Sequence, residues 1–356
     1  MAYTDIDKSD DYFTTFLWTG DGTSPKSFTG VGFQADMMWS KIRTDTHQHN
    51  IVDTVRGVNQ RLISTNLTNA EDTTCTHGHF DSLDSDGFTI TGAGGYWNVN
   101  TNAENYVGWL WKAGGTGVSN TQGSIASTVS ANTTAGFSIV SYIGNNTAGA
   151  TVGHGLGQKP ACIIVKRRSA AMNWGVYHQS LASNEKLQLD VTNSVYVGSG
   201  VFNATQPTAS VFYLGGGTAI DNASGSTYIA YCFAEKKGFS KFGSYTGNGS
   251  TDGTFVYTGF KPAFVLIKST NAAQWWTLLD NTRDAYNQAS LGLSPNSSNS
   301  ESTFNTDRGP HYMDFVSNGF KIRTDNSGIC GTNSFIYMAF AESPFTTSTG
   351  IPTTAR

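Results

Sequence analysis

The chain has 356 residues, a net charge of −4 and a pI near 5.9. Only 13% of its residues are Asp, Glu, Lys or Arg, about half of the roughly 25% usual in globular proteins, while 12% are aromatic and 40 are glycine. This composition excludes a disordered chain, which is charge-rich and aromatic-poor, and a helical enzyme built from runs of Leu, Ala, Glu and Lys; the length points to two or three folding units. Arg167-Arg168 and Lys236-Lys237 are isolated basic pairs, so binding of nucleic acid through its phosphates is not expected. No run of apolar residues is long enough to span a membrane. Four scattered cysteines lack the spacing of a disulfide or zinc framework.

Residues 1–10 are polar and acidic, unlike a signal peptide, so synthesis in a cytoplasm is expected. They stand outside the patterns that follow and read as an attachment segment, with Tyr3, Asp5 and Asp7 as its contacts; deleting it is expected to leave a folded body. The rest of the chain repeats itself. An aromatic run ending in a Gly-Asn/Asp turn occurs at Phe16 to Gly22, Val140 to Asn146 and Gly243 to Gly249. About 21 residues later an apolar run ends in Lys41, Lys166 or Lys268. Gly32, Gly157 and Gly259 stand nine residues before these lysines; His49, Trp174 and Trp276 stand eight after, and Asp53, His178 and Asp280 twelve after. Very apolar runs close each pattern at Tyr106–Trp111, Tyr228–Glu235 and Phe335–Glu342.

Three units result, 11–113, 136–236 and 238–345, with a Gly/Ser/Thr/Asn-rich linker at 114–135 and a loose tail at 346–356. Short apolar-aromatic runs between turn residues predict strands. Asp86-Gly87 and Asn318-Gly319 predict hairpins with both central residues at positive φ. A helical turn or two is conceivable at 51–62 and 280–291. The expected fold is all-β: three homologous β-sandwich units, jelly-roll or concanavalin-like, which a pseudo-threefold arrangement would pack into a compact body. The closing runs, apolar on both faces, are expected as central strands with the lysine-terminated runs beside them.

Chemistry-bearing motifs are few. His47-Gln-His49 and His77-Gly-His79 could each place two imidazoles on one strand face, but His49 occupies the position of Trp174 and Trp276, which favours packing. Asp84-Ser-Asp86-Gly87 begins like a calcium loop and lacks the remaining ligands. Asp53 with Arg56 and Asp280 with Arg283 read as ion pairs that close turns. With six glutamates and no evident carboxylate pair, no nucleophile signature and no phosphate loop, no catalytic residue, metal or cofactor is expected. Gly94-Gly-Tyr96-Trp97, in a polar loop without counterpart, is the candidate exposed contact for a receptor or glycan.

Gly136 to Tyr142, Val152 to Gly157 with Pro160 and Lys166, Lys241 to Gly249, Val316 to Phe320 and Tyr337 to Glu342 resemble a family abundant in marine bacteriophage genomes, whose members carry labels such as tail fibre or virion structural protein. The resemblance covers nearly the whole chain and departs at Ala35, where proline is usual. It implies a non-enzymatic virion surface protein, first a tail-fibre-like or host-receptor-binding component. The alternative is a capsid decoration or tail adaptor protein, favoured by the lack of a fibrous shaft. Behind both stands a glycan-degrading tailspike. The implied partners are other virion proteins and a host surface glycan or receptor, with homo-oligomerisation open and neither nucleic acid nor membrane involved.

Overall fold

The computed structural model describes residues 3–59, 61–75, 78–92, 99–217 and 219–353. The first region contains β1 (Phe13–Thr19), β2 (Lys26–Thr29), β3 (Met37–Ile42), β4 (Asn50–Asp53), β5 (His79–Asp84), β6 (Gly87–Thr91) and β7 (Asn105–Trp111). Next come β8 (Val118–Asn120), β9 (Ser127–Asn132), β10 (Phe137–Ile143), β11 (Thr151–Gly153), β12 (Cys162–Arg167), β13 (Gly175–His178), β14 (Glu185–Gln188), β15 (Tyr196–Val197), β16 (Val211–Tyr213) and β17 (Thr227–Phe233). The last region contains β18 (Ser240–Thr246), β19 (Phe255–Tyr257), β20 (Phe260–Ser269), β21 (Thr277–Asp280), α1 (Glu301–Arg308), β22 (Met313–Val316), β23 (Gly319–Ile322) and β24 (Ser334–Pro344).

The strands form six sheets that pair into three two-layer sandwiches. The inner sheets run β1-β7-β3-β4, β15-β14-β13-β12-β17-β10-β9-β8 and β18-β24-β20-β21; the outer ones run β2-β6-β5, β11-β16 and β19-β23-β22. The closing runs are β7, β17 and β24, each central, and each pairs with the lysine-terminated strand β3, β12 or β20. Alternation along a strand sends successive side chains to opposite faces. Tyr106 and Leu110 therefore pack under the first outer sheet, while Val107, Trp109 and Trp111 enter a core shared by all three sandwiches. On β17, Tyr228 and Ala230 face outward and Ile229, Tyr231 and Phe233 inward. On β24, Phe335 and Tyr337 face outward and Ile336, Met338 and Phe340 inward. At the centre the rings of Trp111, Phe233 and Phe340 close a triangle, with centroids 5.6–6.2 Å apart.

Local chemistry recurs at the matched positions. Trp18 stacks on Tyr106, Tyr142 on Tyr228 and Tyr245 on Phe335, at 5.0–5.1 Å. The glycine two residues after each opening aromatic, Gly20, Gly144 or Gly247, lies so close to a facing carbonyl that a Cβ would stand 1.6–2.5 Å from it, so only glycine fits. Trp174 and Trp276 sit immediately before β13 and β21, equivalent strands of their inner sheets.

The structure corrects several local expectations. Residues 114–135 supply β8 and β9, which extend the second inner sheet through β10, because Ser127-Thr-Val alternates buried and exposed side chains at the start of β9. The hairpins at Asp84–Gly87 and Val316–Gly319 exist, but no turn residue in them has positive φ. Their glycines are required by close approach instead: a Cβ would lie 1.8 Å from the Phe28 carbonyl oxygen at Gly87 and 2.0 Å from that of Val256 at Gly319. Residues 54–56 and 281–283 are turns capped by Asp53 and Asp280, not helix. The short α1, unexpected from its Ser/Asn-rich surroundings, carries Glu301 in its first turn.

Residues 4–11 are part of the body. Ile6 is buried in the shared core, Thr4 Oγ1 donates to the Lys237 carbonyl, and Asp5 exchanges bonds with the Lys237 backbone. Asp7 accepts from both the backbone and hydroxyl of Ser348, at 2.5 Å each. Deleting these residues would therefore remove Ile6 from the shared core. The tail is tied to the same place through Ser348 and a Thr346–Pro352 bridge.

Candidate functional site

Most polar residues singled out in the sequence hold the three sandwiches together. Asp53 caps its turn through the amides of Val55 and Arg56, binds Arg56 Nε at 2.5 Å and accepts from Tyr231 Oη of the second sandwich at 2.8 Å. Arg56 also meets Glu71 at 3.0 Å, and Glu71 binds Arg168 of the second sandwich at 2.8 Å. Asp280 repeats the arrangement with Arg283 at 2.5 Å and with Trp109 of the first sandwich at 3.0 Å. Glu301 then bridges Arg283 and Arg43 at 2.8 and 2.9 Å. Burial by itself would lower the pKa of Arg56 and Arg283; the neighbouring carboxylates outweigh it and hold both firmly charged. These ion pairs are framework.

The three lysines are framework as well. Lys166 donates to the carbonyls of Thr68 and Met172, Lys268 to those of Thr192 and Gln274, and Lys41 to those of Ile42 and Asp45. Two of them thus tie a sandwich to the one before it. Burial lowers their pKa values to about 7 for Lys41, about 8 for Lys166 and about 7 for Lys268. The tryptophans after them run the same way: Trp174 Nε1 donates to the Ser64 carbonyl and Trp276 Nε1 to that of Gln188. His49 is buried at the corresponding place beside the Ser294 backbone, with Nδ1 accepting from Trp39 at 3.0 Å. His47 lies 3.3 Å from Asp45, while His49 is turned to Trp39; His79 pairs with Asp81 at 2.9 Å, and its motif partner His77 lies outside the described residues. Among the described residues no three His, Cys, Asp or Glu side chains converge at metal-binding geometry. All four cysteines are buried free thiols.

Tyr96 and Trp97 lie outside the described residues. Asp5 and Asp7 are engaged within the chain, as described. Tyr3 is the one candidate that the structure carries to an open site. It stands 61% exposed at a groove of about 450 Å³, a size typical of small-ligand sites, with Tyr257 (62%) and Phe345 (40%). Glu235, Lys237 and Lys241 supply its charged lining, and Glu235 and Lys241 pair at 2.6 Å while both remain partly exposed. Of six exposed aromatic side chains among the described residues, three line this groove.

Its walls are fixed by backbone. Tyr257 pairs with Gly319 at the end of β19, and the amides of Thr258 and Gly259 both bond to the Asn318 carbonyl. Gly259 has φ of 84°, which turns the chain into β20. Phe345 donates its amide to the Gly259 carbonyl and accepts at its own carbonyl from Thr353. The Tyr3 ring lies against Gly350, where a Cβ would come within 3.1 Å. Sequence reading missed the groove, since its residues come from four distant segments; the available signal was Phe255-Val-Tyr257, which puts aromatics at both exposed positions of an edge strand. A second cleft, about 320 Å³ between β1 and β24, is polar, and its Glu342 is occupied by Lys261 and Asn281.

The fold and groove define an all-β protein of stacked sandwiches with an aromatic-rimmed recess at the junction of its second and third parts. The chain belongs to the family described as Domain of unknown function (DUF7483), whose profile matches residues 8–344. No curated protein and no solved structure matches it. No helix among the described residues is long and apolar enough to cross a membrane.

Proposed function

We propose that the chain is a non-enzymatic bacteriophage virion surface protein, tail-fibre-like or host-receptor-binding, built from three copies of one sandwich unit about a pseudo-threefold axis. The observation that carries the binding role is the groove of Tyr3, Tyr257 and Phe345: a recess with locked walls that leaves costly aromatic surface open to water. The three-copy reading is supported by the recurrence of stacks, glycines, lysines and head-to-tail indole bonds at matched offsets. The central ring triangle is its axis, and head-to-tail contacts close into a ring when the rotation permits. The absence of an enzymatic role is supported by the use of the buried carboxylates Asp53 and Asp280 in framework ion pairs. Its partners are then other virion proteins and a host surface glycan or receptor, and its location is the virion.

Purified protein should compete with intact particles for adsorption to host cells, and antibodies against it should label the tail. Label on the capsid with no competition would select the second reading, a decoration or adaptor protein. That reading draws on the compact body, whose three inner sheets share one core. Absence of label from purified particles would remove both.

A further inference from the structure

We infer that the groove formed by Tyr3, Tyr257 and Phe345 is a saccharide-binding site, with the Glu235–Lys241 pair reading adjacent hydroxyls. The inference rests on the receptor-binding reading above and names the chemical class of the ligand. A pyranose has an apolar C–H face and a rim of hydroxyls. It is matched by a flat ring exposed on one side with donors and acceptors beside it, which is what amphipathic aromatic side chains supply. The groove provides three such rings, two of them phenols, around its recess. Phe255, two residues before Tyr257 on β19 and also exposed, extends the aromatic surface along the same strand face.

The polar lining discriminates further. Glu235 accepts from Gln179 at 3.3 Å, from the Phe242 amide at 3.4 Å and from Lys241 at 2.6 Å, which leaves its carboxylate partly exposed with room for one further donor. A carboxylate has room for about four hydrogen bonds and an ammonium carries three donors. The pair can therefore accept from one hydroxyl and donate to its neighbour, forming charge-assisted bonds to a vicinal diol. A phosphate or nucleic-acid ligand is disfavoured because Glu235 sits among the cations. An extended peptide would need the free edge of β19, only three residues long. The site is also prepaid: the Tyr257 backbone pairs with Gly319, the Phe345 amide bonds to Gly259 and the Tyr3 ring lies against Gly350 before any ligand arrives, which limits the ordering cost of binding.

The experiment is saturation-transfer NMR with titration calorimetry on the full chain, using tetrasaccharides of glucose, galactose and N-acetylglucosamine and polysaccharide released from host cells as probes. Saturable binding by at least one probe is expected, with Tyr257→Ala and Phe345→Ala each weakening it by about tenfold or more and Lys241→Met weakening it less. Tyr286→Ala, which removes an aromatic 85% exposed elsewhere, should leave affinity unchanged and serves as the control. Because these side chains are exposed, the variants should fold, and their melting temperatures check that. No saturable binding up to about 10 mM of any probe, where affinity falls below roughly 3 kcal/mol, overturns the inference, as does binding that survives both alanine variants. Particle labelling is read separately. Labelled virions without saccharide binding reject the site alone, and saccharide binding by a protein absent from virions rejects the proposed function alone.

Discussion

The contact between the first and second sandwiches and that between the second and third share one backbone plan and differ in chemistry. Glu71 N donates to the Arg168 carbonyl in the former, and Val195 N to that of Thr270 in the latter; Glu301 N and Arg43 O repeat the bond between the third and first. Where two seams carry Asp, Arg, Glu and a second Arg, the third has His178, Leu181, Val195 and Thr270. The donors facing them change too: Tyr231 and Trp109 meet the carboxylates, while Met338 stands at the matching position of β24. His178 keeps half of the carboxylate's work, since its Nδ1 accepts from Ser180 as Asp53 accepts from Val55. Its other nitrogen donates to the Tyr337 carbonyl at 3.1 Å. A buried ion network is replaced here as a set, which is the route that leaves no charge stranded.

The largest expected effect comes from breaking one charged seam singly. Arg56→Leu leaves the buried Asp53 carboxylate without its cation, while Glu71 keeps Arg168, and should cost about 3–5 kcal/mol in urea unfolding. Converting the whole seam, with Asp53→His, Arg56→Leu, Glu71→Val, Arg168→Thr and the facing Tyr231→Met together, should recover most of that loss. A quintuple variant less stable than the single one would show that the two seams are not interchangeable.

Alkaline titration probes the lysines. Lys41, Lys166 and Lys268 have pKa values near 7, 8 and 7 in the folded chain and about 10.4 when unfolded. Between these limits the unfolded chain holds more protons, so stability rises with pH, by up to ~1.4 kcal/mol per pH unit for each lysine. Cys162 and Cys232, whose thiols burial pushes upward, oppose this once unfolded thiols ionise near about 8.5, so the clean window runs from about pH 7 to there. Lys268→Met should flatten the slope, and it should lower stability at pH 7 by roughly 1–3 kcal/mol because the Thr192 and Gln274 carbonyls lose their donor. A slope unchanged from the parent chain would refute the lysine assignment.

Acid probes the apolar seam. Burial lowers the pKa of His178 to about 4, so its neutral form stabilises the fold above the unfolded value of about 6.5 and the contribution disappears as pH falls to about 4. His154 and His311, also near 4, and His49, which burial likewise pushes well below the usual imidazole range, act in the same direction. His178→Gln should therefore reduce the loss of stability between pH 6.5 and 4, read from urea midpoints at the two pH values.

Much of the architecture was legible because a twofold side-chain period and a strict offset grammar leave traces in sequence. The closing runs, the lysines and the Asp-x-x-Arg pairs all took their expected places, and Gly20, Gly144 and Gly247 mark a close approach that recurs. The linker was misread because Ser and Thr are turn formers in composition and strand formers in alternation. The groove was illegible because Tyr3, Glu235, Tyr257 and Phe345 meet only after both ends of the chain and the joint at 236–238 are folded together.

The meeting of Asp7 with Ser348 and of Tyr3 with Gly350 makes the molecule topologically a closed loop whose order of reading is almost arbitrary. A short glycine-serine bridge joining these two ends, with a new opening in the exposed turn at 120–124 between β8 and β9, would present the chain in permuted order while keeping every seam. Such permutants are tolerated where termini lie together at the surface. The permutant should fold with the parent's melting profile, and failure to fold would show that the sandwiches must be made in their native order.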